Sequence, residues 1–171
     1  MGGYWDARQE FAYYDEVVRL ARRHAAHGGA ALDIGAHETR LLQRLDWFER
    51  RVGLDAARVE PGDGVEGVVA DFERFEPRES FDLVLCLQVL EHLGRPRAFA
   101  RKVLATAPTS IVSVPHRWPG WTTDEHLHDP VDGAKLRRWT GRDPVETSIV
   151  EDLGMERLIS VYRGAVSTSS T

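Results

Sequence analysis

The sequence predicts an α/β fold: a doubly wound, mostly parallel sheet that closes with a C-terminal antiparallel hairpin. Three observations carry that expectation. Short apolar runs alternate with stretches of helical spacing along most of the chain. The runs are too uniformly apolar to have one face in water, as expected of parallel strands buried under helices. The C-terminal end instead shows two strand-like stretches meeting at Leu153-Gly154, the pattern of a hairpin. With 171 residues and no internal repeat, low-complexity segment or linker, one domain is expected over 1–171. Its parts are an N-terminal helical segment (1–28), a core (29–115), and a loop, helix and terminal hairpin (116–171).

Each element has its own signal. Phe11, Tyr14, Val18, Ala21 and Ala25 recur at spacings of three and four, with Arg19, Arg22 and Arg23 off that stripe. Residues 10–26 are therefore expected to form an amphipathic helix, ended by Gly28-Gly29. Ala30 to Ile34 is a strand buried on both faces and stops at Gly35. Helical spacing returns over 39–50 through Leu41, Leu45 and Phe48, and a second strand spans Arg51 to Asp55. The turn cluster Pro61-Gly62-Asp63-Gly64 precedes a third strand, Val65 to Phe72. A fourth runs from Phe81 to Leu87. A helix over about 96–107 leads to a fifth strand, Ser110 to Pro115. Residues 116–130 are a loop rich in His, Trp, Pro and Asp, and 131–140 a short helix. Val145 to Val150 and Glu156 to Arg163 form the hairpin, and Ser167 to Thr171 a polar, fraying tail.

Composition narrows the function classes. The apolar fraction is 42% and the charged fraction 29%, as in soluble globular proteins. A chain of this length buries about two-thirds of its unfolded surface and needs no disulfide or structural metal. The lone Cys86 lies in an apolar run and is expected in the core. No apolar stretch reaches the roughly 18 residues of a membrane span, and Met1 to Trp5 lack the regions of a signal peptide. A cytoplasmic location without a membrane partner follows. The net charge of −5 disfavours a large nonspecific nucleic-acid surface. Among 22 basic residues only Lys102 and Lys135 are lysines, a bias that points to a GC-rich bacterial genome. Oligomeric state is left open.

In open parallel sheets ligands bind beyond the carboxyl ends of the strands, where strand order reverses. Those ends here read Asp33-Ile34-Gly35, Asp55, Asp71-Phe72 and Cys86-Leu87-Gln88. The G-x-G-x-x-G signature that cradles a dinucleotide pyrophosphate is absent, and Glu38 would repel a phosphate. Acidic strand ends instead suit a ligand with cationic groups and hydroxyl donors. Asp55 lies 20 residues after Gly35, within reach of a ribose across one strand–helix–strand unit.

The segments ALDIGAHETRLL (31–42), RVGLD (51–55), VVADFERF (68–75), FDLVLCLQVLEHL (81–93) and TSIVSVP (109–115) follow one another in order and spacing. In these the chain resembles the class I S-adenosylmethionine-dependent methyltransferases, especially the small-molecule type with Glu-His-Leu after the fourth strand. The resemblance implies a Rossmann-like fold, with 29–115 as the cofactor-binding core, S-adenosylmethionine as cofactor and a small-molecule methyl acceptor. It places Asp33 and Gly35 near the methionine moiety and Asp55 at the ribose. Asp71 would meet the adenine amino group, Phe72 the adenine ring or neighbouring backbone, and Leu87 the adenine side. His37 departs from the pattern, because the family usually has glycine there, where backbone passes close to the cofactor.

Methyl transfer is an in-line displacement at an already activated carbon, so positioning supplies most of the catalysis. A hydroxyl acceptor also needs a base, and histidine suits the task. His116, His126 and His128 in the loop after the fifth strand are the candidate catalytic bases, and His92 follows the fourth. Trp118 and Trp121 offer an apolar wall. The function expected is O-methylation of a small molecule. Two alternatives stand beside it. One is a non-catalytic Rossmann-like binding module whose cofactor loop has degraded at His37. The other is a metal-dependent RNA 3′-end 2′-O-methyltransferase. There Gln88, Glu91 and His92 would share one face if helical, with His126 and His128 sharing another if extended. RNA and quinone-precursor methyltransferases of similar layout usually have Glu where this chain has Gln88, and the sequence alone assigns no metal.

Overall fold

A computed structural model of the chain describes residues 5–60 and 62–164. The expected frayed tail, Ser167 to Thr171, and the first four residues lie outside the described residues. The chain forms one seven-stranded sheet: β1 (Ala30–Ile34), β2 (Arg50–Asp55), β3 (Glu66–Val69), β4 (Leu83–Leu87), β5 (Thr109–Pro115), β6 (Glu146–Asp152) and β7 (Met155–Arg163). Among the described residues three α-helices accompany it: α1 (Ala12–His24), α2 (Pro96–Thr106) and α3 (Gly133–Thr140). The order across the sheet is β3-β2-β1-β4-β5-β7-β6. The first five strands pair in parallel, and β7 enters antiparallel between β5 and β6. This is the Rossmann-like mixed sheet expected, with the hairpin turning at Leu153-Gly154.

Two apolar layers sandwich the sheet. Leu32, Ile34, Val84, Cys86, Val112 and Val114 face α2 and α3. Ala31, Leu83, Leu85, Ile111, Ile159 and Val161 face α1. Both sides of β1 and β4 are therefore dry, and every residue of β5 is buried. That is why these strands read as continuous apolar runs and not as alternation. The register of β6 alternates, as expected at a sheet edge with one solvated face.

The helix expected over 39–50 is a correction: only one 3-10 turn, Leu41–Arg44, forms there. Leu41, Leu42, Leu45 and Phe48 are buried as the pattern demanded. A period of three stacks Leu42, Leu45 and Phe48 as well as the α period would. Meanwhile the carbonyls of Leu42 and Gln43 accept from the Arg51 guanidinium at 3.4 and 3.5 Å. An α-helix would have used those carbonyls for its own ladder. The third strand is also shorter than expected: after Val69 the chain turns, leaving Phe72 in a loop.

Helix α1 is fastened to the hairpin at both ends. Its first N–H groups, Ala12 and Tyr13, donate to Asp152 at 2.9 and 3.1 Å. No local side chain caps the helix, so Asp152 supplies the cap from β6. At the other end His24 pairs with Glu146 at 2.6 Å, joined by Arg19 and Arg23.

Candidate active site

Strand order reverses between β1 and β4, and a cavity of about 200 Å³ opens at their carboxyl ends. It is lined by Asp33, Gly35, His37 and Thr39 from one side and Leu87 and Gln88 from the other, under Tyr13 and Tyr14 of α1. Asp33 is 3% exposed. Burial first and the neighbouring Asp55 second push its carboxyl up to about 7, against the Thr39 hydroxyl, which lowers it. A carboxyl held there requires a proton or a cation. Gly35 turns the chain at φ 80°, and a Cβ on it would lie 2.5 Å from Val89 Cγ2, so no larger residue fits. His37 takes φ 43° without being glycine. Its carbonyl accepts from Glu60 N–H at 2.7 Å, which ties the loop after β1 to the loop after β2.

The other expected cofactor residues stand outside this cavity. Asp55 Oδ1 accepts from the Ala57 and Arg58 amides at 2.8 and 3.3 Å, closing the turn after β2. Asp71 accepts from Glu73 N–H at 2.9 Å and is exposed. Phe72 is 3% exposed, its ring packed on Phe99 at 5.0 Å, so only its backbone can face a ligand.

A second pocket of about 330 Å³ shares Tyr13, Tyr14 and Gln88 with the first. Its far wall comprises Phe11, Trp118, Arg157, Glu91, His92 and His126. The Arg157 guanidinium lies 5.4 to 5.6 Å over the rings of Phe11, Tyr13 and Trp118, a cation held on an aromatic wall. At the partition, Gln88 Nε2 donates to Ser113 Oγ at 3.1 Å, and Ser113 Oγ and Tyr13 OH are 2.5 Å apart. Gln88 is not on a helix face with Glu91 and His92, contrary to the metal layout considered above. It takes φ 57°, and only Leu90–His92 forms a 3-10 turn.

The three candidate bases separate. His126 enters the second pocket, its Nδ1 2.6 Å from Asp129 Oδ2 and its ring stacked on Trp118 at 5.6 Å. His116 pairs with Glu156 at 2.9 Å, outside the lining of either cavity. His128 bonds the Leu93 carbonyl at 2.7 Å and packs edge-on against Trp139. The structure thus brings His126 to His92, with ring centroids 4.8 Å apart, and leaves His116 and His128 elsewhere. Trp118 lines the pocket, whereas Trp121 is 84% exposed. Glu91 is fully buried, and that burial pushes its carboxyl up to about 8. Sequence reasoning missed Tyr13 and Arg157 altogether. Tyr13 lies off the core stripe by which the helix was read, and Arg157 sits in a hairpin whose partner strands cannot be known from spacing.

Residues 15–106 match the model of the methyltransferase domain family, and the chain belongs to that family. Its cofactor is S-adenosylmethionine, and the chain is an S-adenosylmethionine-dependent methyltransferase. No curated protein matches the sequence. Solved structures share the fold. One is the 1,6-didemethyltoxoflavin-N1-methyltransferase of Burkholderia thailandensis, with bound 1,6-didemethyltoxoflavin and S-adenosylhomocysteine. The two are 19% identical with a TM-score of 0.70, over 92% of this chain and 80% of that one. The N-methyltransferase NodS of Bradyrhizobium japonicum is 14% identical with a TM-score of 0.67, over 89% and 94%. The magnesium protoporphyrin IX methyltransferase of Synechocystis PCC 6803, with bound S-adenosylhomocysteine, is 15% identical with a TM-score of 0.67, over 89% and 82%.

The lining of the first cavity has the chemistry that a cationic ligand calls for. Asp33, buried with a second acid nearby, offers a counter-charge for a cationic group, and Gly35 turns the chain beside it at φ 80°. No helix among the described residues is long and apolar enough to cross a membrane.

Proposed function

We propose that this methyltransferase acts on a small, planar hydroxylated acceptor and transfers the methyl group to oxygen. The single observation that carries the reading is the shared partition: the cofactor cavity and the aromatic-walled pocket meet at Tyr13, Tyr14 and Gln88. An acceptor lying against Trp118 and Phe11 has its reactive edge beside that partition. The bound cofactor supplies an electrophilic methyl group on a sulfonium. Asp33 anchors the methionine ammonium and Leu87 lines the adenine side. Asp55 and Asp71 flank the ribose and adenine through the carboxylate oxygens their turns leave over, and the Phe72 backbone faces the ring.

Oxygen is favoured over nitrogen by the groups around the acceptor. A hydroxyl must lose its proton to become a good nucleophile, and an imidazole near neutral pH takes it. His126 is built for this: Asp129 holds Nδ1 as the donor, which leaves Nε2 with a lone pair toward the pocket. The pocket's size favours a small molecule. The neighbours fit the general class, since the Burkholderia structure holds a small heterocycle, yet that enzyme and NodS methylate nitrogen.

Titrating S-adenosylhomocysteine into the purified protein by calorimetry tests the cofactor half, with micromolar binding expected and none in a sound protein overturning it. Incubation with paired phenol and aniline acceptors, read by mass spectrometry, tests the acceptor half. Methyl ethers of the phenols are expected, and products methylated only on nitrogen would overturn the assignment to oxygen.

A further inference from the structure

We infer that Glu91, His92 and His126 form a site for a divalent first-row transition cation, with its open coordination positions facing the acceptor pocket. One donor atom from each of the three residues lies within 4.8 Å of the others. Bonds of roughly 2.0–2.2 Å to a common ion need donors within about 4.4 Å of one another. The exposed His92 ring at the rim has the freedom to close that difference.

The independent observation is Glu91. Its side chain is fully buried, and neither carboxylate oxygen has a hydrogen-bond partner among the described residues. A buried carboxylate without partners is costly, and it is relieved by a cation. Protonation removes the buried charge but leaves both oxygens unpaired, whereas a cation neutralises the carboxylate and coordinates it.

The imidazoles are already oriented as ligands. His126 Nδ1 lies 2.6 Å from Asp129 Oδ2, and His92 Nδ1 lies 3.0 Å from the Glu125 carbonyl. A neutral ring that donates through Nδ1 presents the Nε2 lone pair, and such outer carboxylates and carbonyls are what fix metal-binding histidines. The second oxygen of Asp129 is itself buried and unpaired, so negative charge extends behind His126. The Leu127 amide donates to the Glu91 carbonyl at 2.8 Å, which pins the loop bearing His126 onto the turn bearing Glu91 and His92. Gln88 and His128 take no part, being committed to Ser113 and Leu93.

Two imidazoles and one carboxylate suit iron, cobalt, zinc or manganese better than magnesium. Three protein donors leave positions for a hydroxyl of the acceptor. A coordinated hydroxyl sheds its proton to solvent at a lower pKa, and its oxygen keeps the electron pair that forms the new bond to carbon. This role rests on the reading of oxygen methylation above; with the cation bound, His126 holds it and the proton goes to water.

The test is titration of Co²⁺ into chelator-treated protein, followed by visible absorption and calorimetry. One equivalent with d–d bands is expected. Asp129→Asn should weaken it roughly 10–100-fold, as losing an outer partner does, and His126→Ala or Glu91→Gln by more. His128→Ala should bind Co²⁺ as the parent does. Circular dichroism on each variant separates lost sites from lost fold. Absence of d–d bands at millimolar Co²⁺, or bands untouched by Glu91→Gln and His126→Ala, overturns the site. S-adenosylhomocysteine binding measured on the same metal-free protein reports on the methyltransferase reading independently.

Discussion

At Asp33 a buried carboxyl whose pKa is raised to about 7 faces a ligand that brings a positive charge. Its folded pKa, about 7, lies above the usual carboxylate value. The folded state therefore holds a proton that the unfolded state has released between about pH 4 and 7, and stability falls as pH rises across that window. Asp33→Asn should flatten that part of a stability–pH curve measured by urea melts. The linkage inverts for the ligand. Because the ammonium pairs with the ionised form, affinity for S-adenosylhomocysteine should rise about tenfold from pH 6 to 8 in the parent and stay level in Asp33→Asn. His37 supplies a second residue-scale expectation. Releasing its left-handed backbone gains about 1 kcal/mol, which the extra freedom of an unfolded glycine offsets by roughly 0.5–1 kcal/mol. His37→Gly should thus leave the melting temperature nearly unchanged while tightening cofactor binding, since the ring lines the cavity. A weaker or unchanged affinity would count for the degraded-loop alternative.

Among the elements, α1 carries the most function for the least sequence signal. Its stripe of apolar residues announced a helix, and its buried face was legible. That the same helix roofs both cavities was not, because Tyr13 points where only the three-dimensional path of β5 and β7 could bring Ser113 and Arg157. The cap is equally remote in sequence. Asp152→Ala should cost about 1 kcal/mol, within the range of lost N-caps, and should raise hydrogen exchange at Ala12 and Tyr13 before any other helix. Strands β1, β4 and β5 were legible nearly to the residue because both faces are dry. The connection over 39–50 was not, since burial of Leu42, Leu45 and Phe48 satisfies either helical period.

For the whole molecule, the fold and the class of chemistry could be read early because buried parallel strands and their acidic ends are local features. The second pocket could not, since it is assembled from α1, the turn after β4, the loop at 116–130 and β7. Of three histidines singled out by position, pairing with Glu156 and Leu93 diverts two. Ligand binding should be felt globally across the single sheet. At about 100 times its Kd, S-adenosylhomocysteine adds roughly 2.7 kcal/mol of stability. For a chain of this size that corresponds to about 5–11 °C in melting temperature, measurable by differential scanning fluorimetry. A shift below about 2 °C under those conditions would mean that S-adenosylhomocysteine does not bind the folded state in preference to the unfolded chain.

The fastening of α1 by Asp152 and Glu146 makes the hairpin an indirect control on substrate choice. Asp152 precedes the Leu153-Gly154 turn, and Glu146 begins the same strand. Inserting two residues into β6 between those anchors would lengthen the distance between them and tilt the helix that forms the roof. Selectivity could then be evolved from an exposed edge of the sheet, with no change to any residue that touches the acceptor.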